Sequence, residues 1–271
     1  MHPKQLLDFY DLQPKKSLGQ NFLFDEAVLG RIVAAGNVTA VDVVLEIGPG
    51  LGALTKVLAE TAVSVTAVEL DQRFLPILQS QLAPYDNVRL IHGDILEQNP
   101  ADLFDRPYKV IANVPYYITG AILRHLLSAS HKPTCMVLTV QQEVAERLTA
   151  VPPNMSLLAV STQFYGTPRL VATIKAGAFW PRPDVDSAVI RLDLDQQPLV
   201  AEKRLFRVAT AGFSQKRKQL KNNLRQLGLT PANLQSVLAA AKIDGRRRAE
   251  TLTVAEWQQL TATWLALRED L

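Results

Sequence analysis

The chain reads as an α/β protein, with a doubly wound, mostly parallel sheet over residues 1–195 and a small all-α domain over 196–271. Three observations predict this. Short apolar, β-branched runs alternate with stretches of helical spacing from about residue 40 to residue 150. A glycine-rich turn, Gly48-Pro49-Gly50-Leu51-Gly52, joins the first such run to a helix. Beyond 196 the remaining segments carry helical spacing only.

Taken in order, residues 1–40 form a helical lead-in, in which Asp25 caps a helix from Glu26 to Ala35 that Gly36 ends. Val41 to Ile47 is a buried parallel strand, and Ala53 to Ala59 the helix after it. The next strand, Ser64 to Val68, ends in Glu69. Asp71 suits the N-cap of the following helix, which Pro76 is expected to kink. Val88 to His92 ends in Gly93-Asp94, and Tyr108 to Ala112 delivers Asn113-Val114-Pro115-Tyr116. Thr134 to Leu138 holds the lone Cys135, a core filler that has no partner for a disulfide within the chain. Ser161 to Tyr165 and a Pro-rich turn at 179–183 precede a closing strand, Ser187 to Leu194. Gln196-Gln197-Pro198 reads as the linker. Helices follow over Phe206 to Gly212, Ser214 to Leu227, Pro231 to Lys242 and Val254 to Leu267, broken by Gly228 and Gly245.

Ligands of open α/β sheets bind at the carboxyl edge of the strands, and four successive strands end there in polar groups. The Gly48–Gly52 turn lets a ligand approach the backbone beside a helix N-terminus. Glu69, about twenty residues on, can accept both hydroxyls of a ribose. Asp94 ends the third strand. On the fourth, the Asn113 side-chain oxygen and the Val114 carbonyl can both accept from one exocyclic amino group, with Tyr116 offering a flat face for a base. Gly48-x-Gly50-x-x-Ala53 also satisfies the dinucleotide fingerprint, so a nicotinamide-dependent oxidoreductase is a rival, although hydride transfer has no use for Gly93-Asp94 or the Asn113 segment.

Of 271 residues 48% are apolar, which is globular rather than disordered composition. No signal peptide or run of transmembrane length is evident, so a cytoplasmic location is expected and a membrane partner is not. The four His and one Cys lack metal-ligand spacing, so no metal is expected. Charge is unevenly distributed. Residues 196–271 hold 13 Lys/Arg against 6 Asp/Glu, and residues 1–195 hold 16 against 20. Two basic clusters, Lys216-Arg217-Lys218 and Arg246-Arg247-Arg248, lie in this C-terminal quarter and suit a surface that grips phosphates; a solvated helical face is the alternative.

Glu46-Ile47-Gly48-Pro49-Gly50-Leu51-Gly52, Glu69, Gly93-Asp94 and Asn113-Val114-Pro115-Tyr116 resemble the motif series of S-adenosylmethionine-dependent adenine-N6 methyltransferases of class I, whose fold is Rossmann-like. Lys16 to Leu23, Phe179 to Ser187, Phe213 to Leu224 and Arg247 to Leu252 narrow the resemblance to the ribosomal RNA adenine dimethyltransferase family, in its branch acting on small-subunit (16S) rRNA. The resemblance covers nearly the whole chain. It implies S-adenosylmethionine as cofactor, two methyls placed on N6 of each of two adjacent adenosines in the 3′-terminal stem-loop of 16S rRNA, a pre-30S subunit as partner and a monomeric enzyme. By the same resemblance Glu69 binds the ribose, Asp94 the cofactor adenine, and Gly48 the methionine end with Gln20, Asn21 and Leu23. Gly50, Leu70, Ile95 and Asn113 complete the cofactor set. Asn113, Val114, Pro115, Tyr116 and Phe179 are implied for catalysis, Tyr116 and Phe179 as the two stacking faces. Lys216, Arg217, Lys218, Lys221, Arg247 and Arg248 are assigned to RNA. Two features depart from the family. Val114 replaces the usual Leu, harmlessly if it acts through its carbonyl. The loop Thr149 to Leu157 is shortened and lacks a Tyr-Gly pair, which puts substrate positioning in question. A sister enzyme of large-subunit rRNA and an RNA-binding assembly factor without catalysis remain as rivals.

Overall fold

A computed structural model describes residues 2–194 and 199–269; the expected linker Gln196-Gln197-Pro198 lies outside them. The chain divides into two compact units, one of Met1–Ala145 with Pro168–Leu194, the other of Glu146–Thr167 with Asp195–Leu271. The segment Glu146–Thr167, expected within the first domain, thus groups with the C-terminal helices. Its helix Leu157–Gln163 packs on the helix Glu202–Gly212, and Met155 N–H donates to the Glu250 carbonyl at 3.0 Å.

The strands are β1 (Phe22–Leu23), β2 (Val43–Ile47), β3 (Ser64–Glu69), β4 (Val88–His92), β5 (Tyr108–Asn113), β6 (Cys135–Gln141), β7 (Thr167–Ile174), β8 (Phe179–Trp180) and β9 (Ser187–Asp193). Seven of them form one sheet in the order β4-β3-β2-β5-β6-β9-β7, while β1 pairs antiparallel with β8. From β4 through β6 the pairing is parallel, and β9 runs antiparallel to β6. The chain winds outward from β2 to β4, then returns to the other side of β2 as β5, which creates a switch point between β2 and β5. The central strands are legible because they are buried on both faces and need no alternation: all five residues of β2 are buried.

Helix Glu26–Ala35 is capped as expected, Asp25 accepting from Val28 N–H at 3.1 Å, a contact typically worth about 1 kcal/mol. It buries Leu29 and Ile32 against Val44, Leu58, Ile111 and Val137, the core of the α/β unit. Pro76 does not kink its helix. Asp71 caps a short turn, Gln72–Phe74, and the helix begins at Leu75, which places Pro76 in the first turn where no N–H is needed.

In the helical unit, Trp257 stacks on Phe213 with ring centroids 5.4 Å apart. A Cβ on Gly212 would come within 2.3 Å of the Trp257 ring, so only glycine permits this approach. Helix Val254–Glu269 begins where expected and runs two residues past Leu267, but the expected helix from Ser214 to Leu227 does not form as one piece. Residues 214–219 are a turn, and helical structure covers only Leu220–Asn223 and a 3-10 segment, Leu224–Leu227. Buried Asn223 explains the break: its Nδ2 donates to the carbonyls of Gly212 at 2.5 Å and Gln215 at 3.1 Å, satisfying the end of one helix and the turn together.

Candidate active site

Because β4, β3, β2 and β5 are adjacent and parallel, their carboxyl ends bring Asp94, Glu69, Gly48 and Asn113 to one edge in that order. They line a cavity of about 510 Å³, together with Gln20, Asn21, Leu23, Gly50, Leu70, Ile95, Val114, Pro115 and Tyr116. Its size suits a nucleoside-sized ligand.

The glycine turn is held open from below. Gly48, Gly50 and Gly52 have φ of 66°, 58° and 83°, a left-handed region costly to any residue with a Cβ. Glu69, 5% exposed, accepts from Gly50 N–H through Oε2 at 2.9 Å and from Asp71 N–H through Oε1 at 2.8 Å. Burial pushes its pKa up, and the two backbone donors oppose that shift. Asp71 in turn binds Arg73 and accepts from Gln20 Nε2 at 2.8 Å, and its carboxyl is held down at about 2, chiefly by Arg73. Gln20 therefore lines the cavity with its amide already committed, since its Oε1 also accepts from Lys15 N–H at 2.7 Å. Asp94 caps the turn Ile95–Glu97 through Oδ1 to Leu96 N–H at 2.9 Å; a cap and a ligand contact are compatible, because a carboxylate has acceptor capacity for both.

Asn113 is oriented by the N-terminal segment. Its Nδ2 donates to the Asn21 carbonyl at 3.3 Å, which leaves Oδ1 as the free acceptor of the amide. Tyr116 is fixed through its phenol, 2.5 Å from the Ser187 hydroxyl. Ser187 is fully buried at the start of β9. Sequence reasoning gave Ser187 no role, and its place in the Phe179–Ser187 motif was the available signal.

Phe179 is 3% exposed and belongs to the buried cluster that includes Leu23, Leu29, Ile32 and Val189; β8 pairs it opposite Leu23, which lines the cavity. Tyr116 lines the cavity itself. Among the RNA-assigned residues, Lys216, Arg217, Lys218, Lys221 and Arg248 are exposed, whereas Arg247 is partly buried, forming an ion pair with Glu256 and donating to Thr251 Oγ1 at 3.1 Å. Leu220 N–H donates to the Arg247 carbonyl at 2.7 Å and Lys221 N–H to the Gly245 carbonyl at 3.0 Å, which sets the two basic clusters side by side. The short loop after Thr149 is braced by Gln163 Nε2, which donates to the carbonyls of Leu148 at 2.9 Å and Ala150 at 2.8 Å.

The cavity fits a cationic cofactor better than a dinucleotide. Among the described residues its charged lining, apart from Glu46, whose carboxyl burial pushes up to about 8, comprises Glu26, Glu60, Glu69 and Asp94 against Lys56 alone. A pyrophosphate would meet mostly carboxylates there, whereas a sulfonium would be favoured. Cys135 lies outside the chemistry: it is buried in β6, and burial pushes its thiol up to about 11.

The sheet order, with β9 antiparallel to β6, and the glycine turn facing Glu69 and Asp94 define a Rossmann-like, class I S-adenosylmethionine-dependent methyltransferase. The family model for ribosomal RNA adenine dimethylase matches residues 12–264, and the chain belongs to that family. The "Ribosomal RNA small subunit methyltransferase A" of Dehalococcoides mccartyi (strain CBDB1) is 45% identical over 263 residues, covering 95% of this chain and 90% of the relative. The protein of the same name from Bacillus licheniformis is 41% identical, with 95% and 94% covered. Among solved structures, 23S rRNA methyltransferase ErmE aligns with a TM-score of 0.74 at 27% identity, covering 90% of this chain and 99% of that one. A dimethyladenosine transferase from Plasmodium falciparum shares the fold with a TM-score of 0.78 at 23% identity, covering 91% and 98%.

Proposed function

We propose that this enzyme dimethylates N6 of two adjacent adenosines in the 3′-terminal stem-loop of 16S rRNA during assembly of the small ribosomal subunit, acting as a monomer in the cytoplasm. No helix among the described residues is long and apolar enough to cross a membrane. The observation that carries the reading is the fixed amide of Asn113 at the end of β5, beside the Gly48–Glu69–Asp94 edge.

S-adenosylmethionine bound at that edge supplies a methyl group already made electrophilic by its sulfonium. The chain supplies presentation. Glu69 has acceptor capacity left for ribose hydroxyls and Asp94 for an adenine amine. Adenine N6 is a poor nucleophile, because its lone pair is delocalised into the ring. Asn113 Oδ1 and the Val114 carbonyl accept its two hydrogens and draw the nitrogen toward tetrahedral geometry, so that the lone pair faces the donor. Tyr116, tethered by Ser187, stacks on the base, a contact worth roughly 1–3 kcal/mol. Alignment of this kind can contribute on the order of 7–11 kcal/mol, without a nucleophilic side chain. The surplus proton leaves to water. Lys216, Arg217, Lys218, Lys221 and Arg248 hold the RNA by its phosphates.

The Dehalococcoides and Bacillus relatives, both above 40% identity, are named for the small subunit, and the 27% structural neighbour for 23S rRNA, which favours the small-subunit substrate. Mass spectrometry of rRNA from a strain lacking the gene tests it. The expected result is loss of N6,N6-dimethyladenosine from 16S rRNA, restored by the wild-type gene and not by Asn113→Ala; unaltered 16S rRNA overturns it.

A further inference from the structure

Glu46 is an ionisable group of the cavity wall to which the chemistry above gives no task. It is the fourth residue of β2, 1% exposed, opposite Ala67 of β3 in register, and its Oε2 has no hydrogen-bond partner among the described residues. An unpaired carboxylate is not stable in such a place, so the group must hold a proton or be matched by a positive charge.

We propose that Glu46 is the residue by which the cavity distinguishes the positively charged methyl donor from its neutral thioether product: the carboxyl releases a proton to solvent when the sulfonium binds and regains one from solvent once the methyl group has left. The carboxyl is unchanged over the cycle. The proposal rests on the reading of this cavity as the S-adenosylmethionine site.

The surroundings favour this assignment. Of the cavity's charged groups, Glu69 on β3 is the one whose charge reaches Glu46, and it raises the Glu46 pKa further. From the helix Ala53–Ala59 the Thr55 hydroxyl pulls the other way. Burial dominates and pushes the carboxyl up to about 8. Two carboxylates in one low-dielectric wall cannot both ionise easily. Glu69 has two backbone N–H donors that hold its charged form, whereas Glu46 Oε2 has none, so Glu46 keeps the proton. An arriving cation removes the penalty on the second charge.

Calorimetric titration of the full chain at pH 7.5, in two buffers of different ionisation enthalpy, counts the protons. With S-adenosylmethionine, release should be roughly half a proton, because a group titrating at about 8 is about three-quarters protonated at that pH and about one-quarter protonated once its pKa is lowered by about one unit. With S-adenosylhomocysteine it should be less than half as large. In Glu46→Gln the release should vanish while both ligands still bind, and the preference for the donor over the product should fall roughly tenfold, the equivalent of one pKa unit. Equal proton counts for the two ligands in the wild type overturn the proposal, whether or not the variant folds. So does release that persists in Glu46→Gln, which would place the proton on Glu69. Failure of the wild type to bind S-adenosylmethionine at all overturns the reading of the cavity itself.

Discussion

The α/β unit buries three carboxyl groups at the ends of β2 and β3, whereas the helical unit displays a run of cations on one turn. Glu46, Glu69 and Asp71 are each at most 5% exposed, and the last two are fixed by named donors. Lys216, Arg217, Lys218 and Lys221 lie in the open, on or beside a turn held by Asn223. The buried set suits one small ligand, because in a low-dielectric wall each group has one geometry and a large effect. The exposed set suits a polyanion, where many weak contacts add through counterion release and no single geometry is needed. Substitutions in the first region should therefore be individually severe, and those in the second mild and cumulative.

The sharpest contrast is expected at Asn113. If Asn113 presents the amino group as proposed, Asn113→Ala removes a transition-state contact worth roughly 2.7–4 kcal/mol, and single-turnover methylation should fall by about 100-fold or more. RNA affinity should be nearly unaffected. A rate within a few-fold of wild type would remove Asn113 from the chemistry. Next in size is Glu69→Ala, which deprives Gly50 and Asp71 N–H of their acceptor as well as the ribose. Cofactor affinity measured by calorimetry should weaken by roughly 1.5–3 kcal/mol, and wild-type affinity would refute the assignment.

The basic turn should respond in aggregate. Replacing Lys216, Arg217, Lys218 and Arg248 by Gln should reduce the slope of log affinity against log salt by somewhat under about one unit per lost phosphate contact, with cofactor affinity unchanged. An unaltered slope in a filter-binding titration would mean that these side chains are merely solvated. The smallest effect is on stability. Asp71 titrates at about 2 in the fold, against an ordinary value of 3.8, so the unfolded chain takes up the proton first. Its contribution is present above pH 3.8 and disappears as the pH falls through 2. Chemical denaturation of Asp71→Asn should therefore show a flatter acid limb than the wild type between these values. Superimposable limbs would show that the Gln20–Asp71–Arg73 contacts contribute nothing.

What the sequence made legible follows the same division. The central strands β2 and β5 could be read because burial on both faces favours apolar, β-branched residues, and the polar ends of β2, β3 and β4 because chain order and spatial adjacency coincide there, before β5 returns to the other side of β2. Strand β7 was missed, since it carries Pro168 and Arg169 near its start and its apolar run Leu170-Val171-Ala172 is short and largely exposed. The depth of Phe179 was not legible, because an aromatic at a strand end looks alike whether it is exposed or buried; its cluster with Leu29, Ile32 and Val189, distant in sequence, sets it. The break at 214–219 depends on Asn223 reaching back to Gly212 and Gln215, and the inward turn of Arg247 on Glu256, which helical spacing alone does not reveal.

The purified chain can be incubated with methyl-labelled S-adenosylmethionine and separately with undermethylated small and large ribosomal subunits, followed by nucleoside analysis. Label should appear in the small subunit as N6,N6-dimethyladenosine, approach four methyls per particle, and be lost with Asn113→Ala. Label confined to the large subunit, or none in either while the cofactor still binds, would contradict the assignment of this cavity and this basic surface to small-subunit RNA methylation.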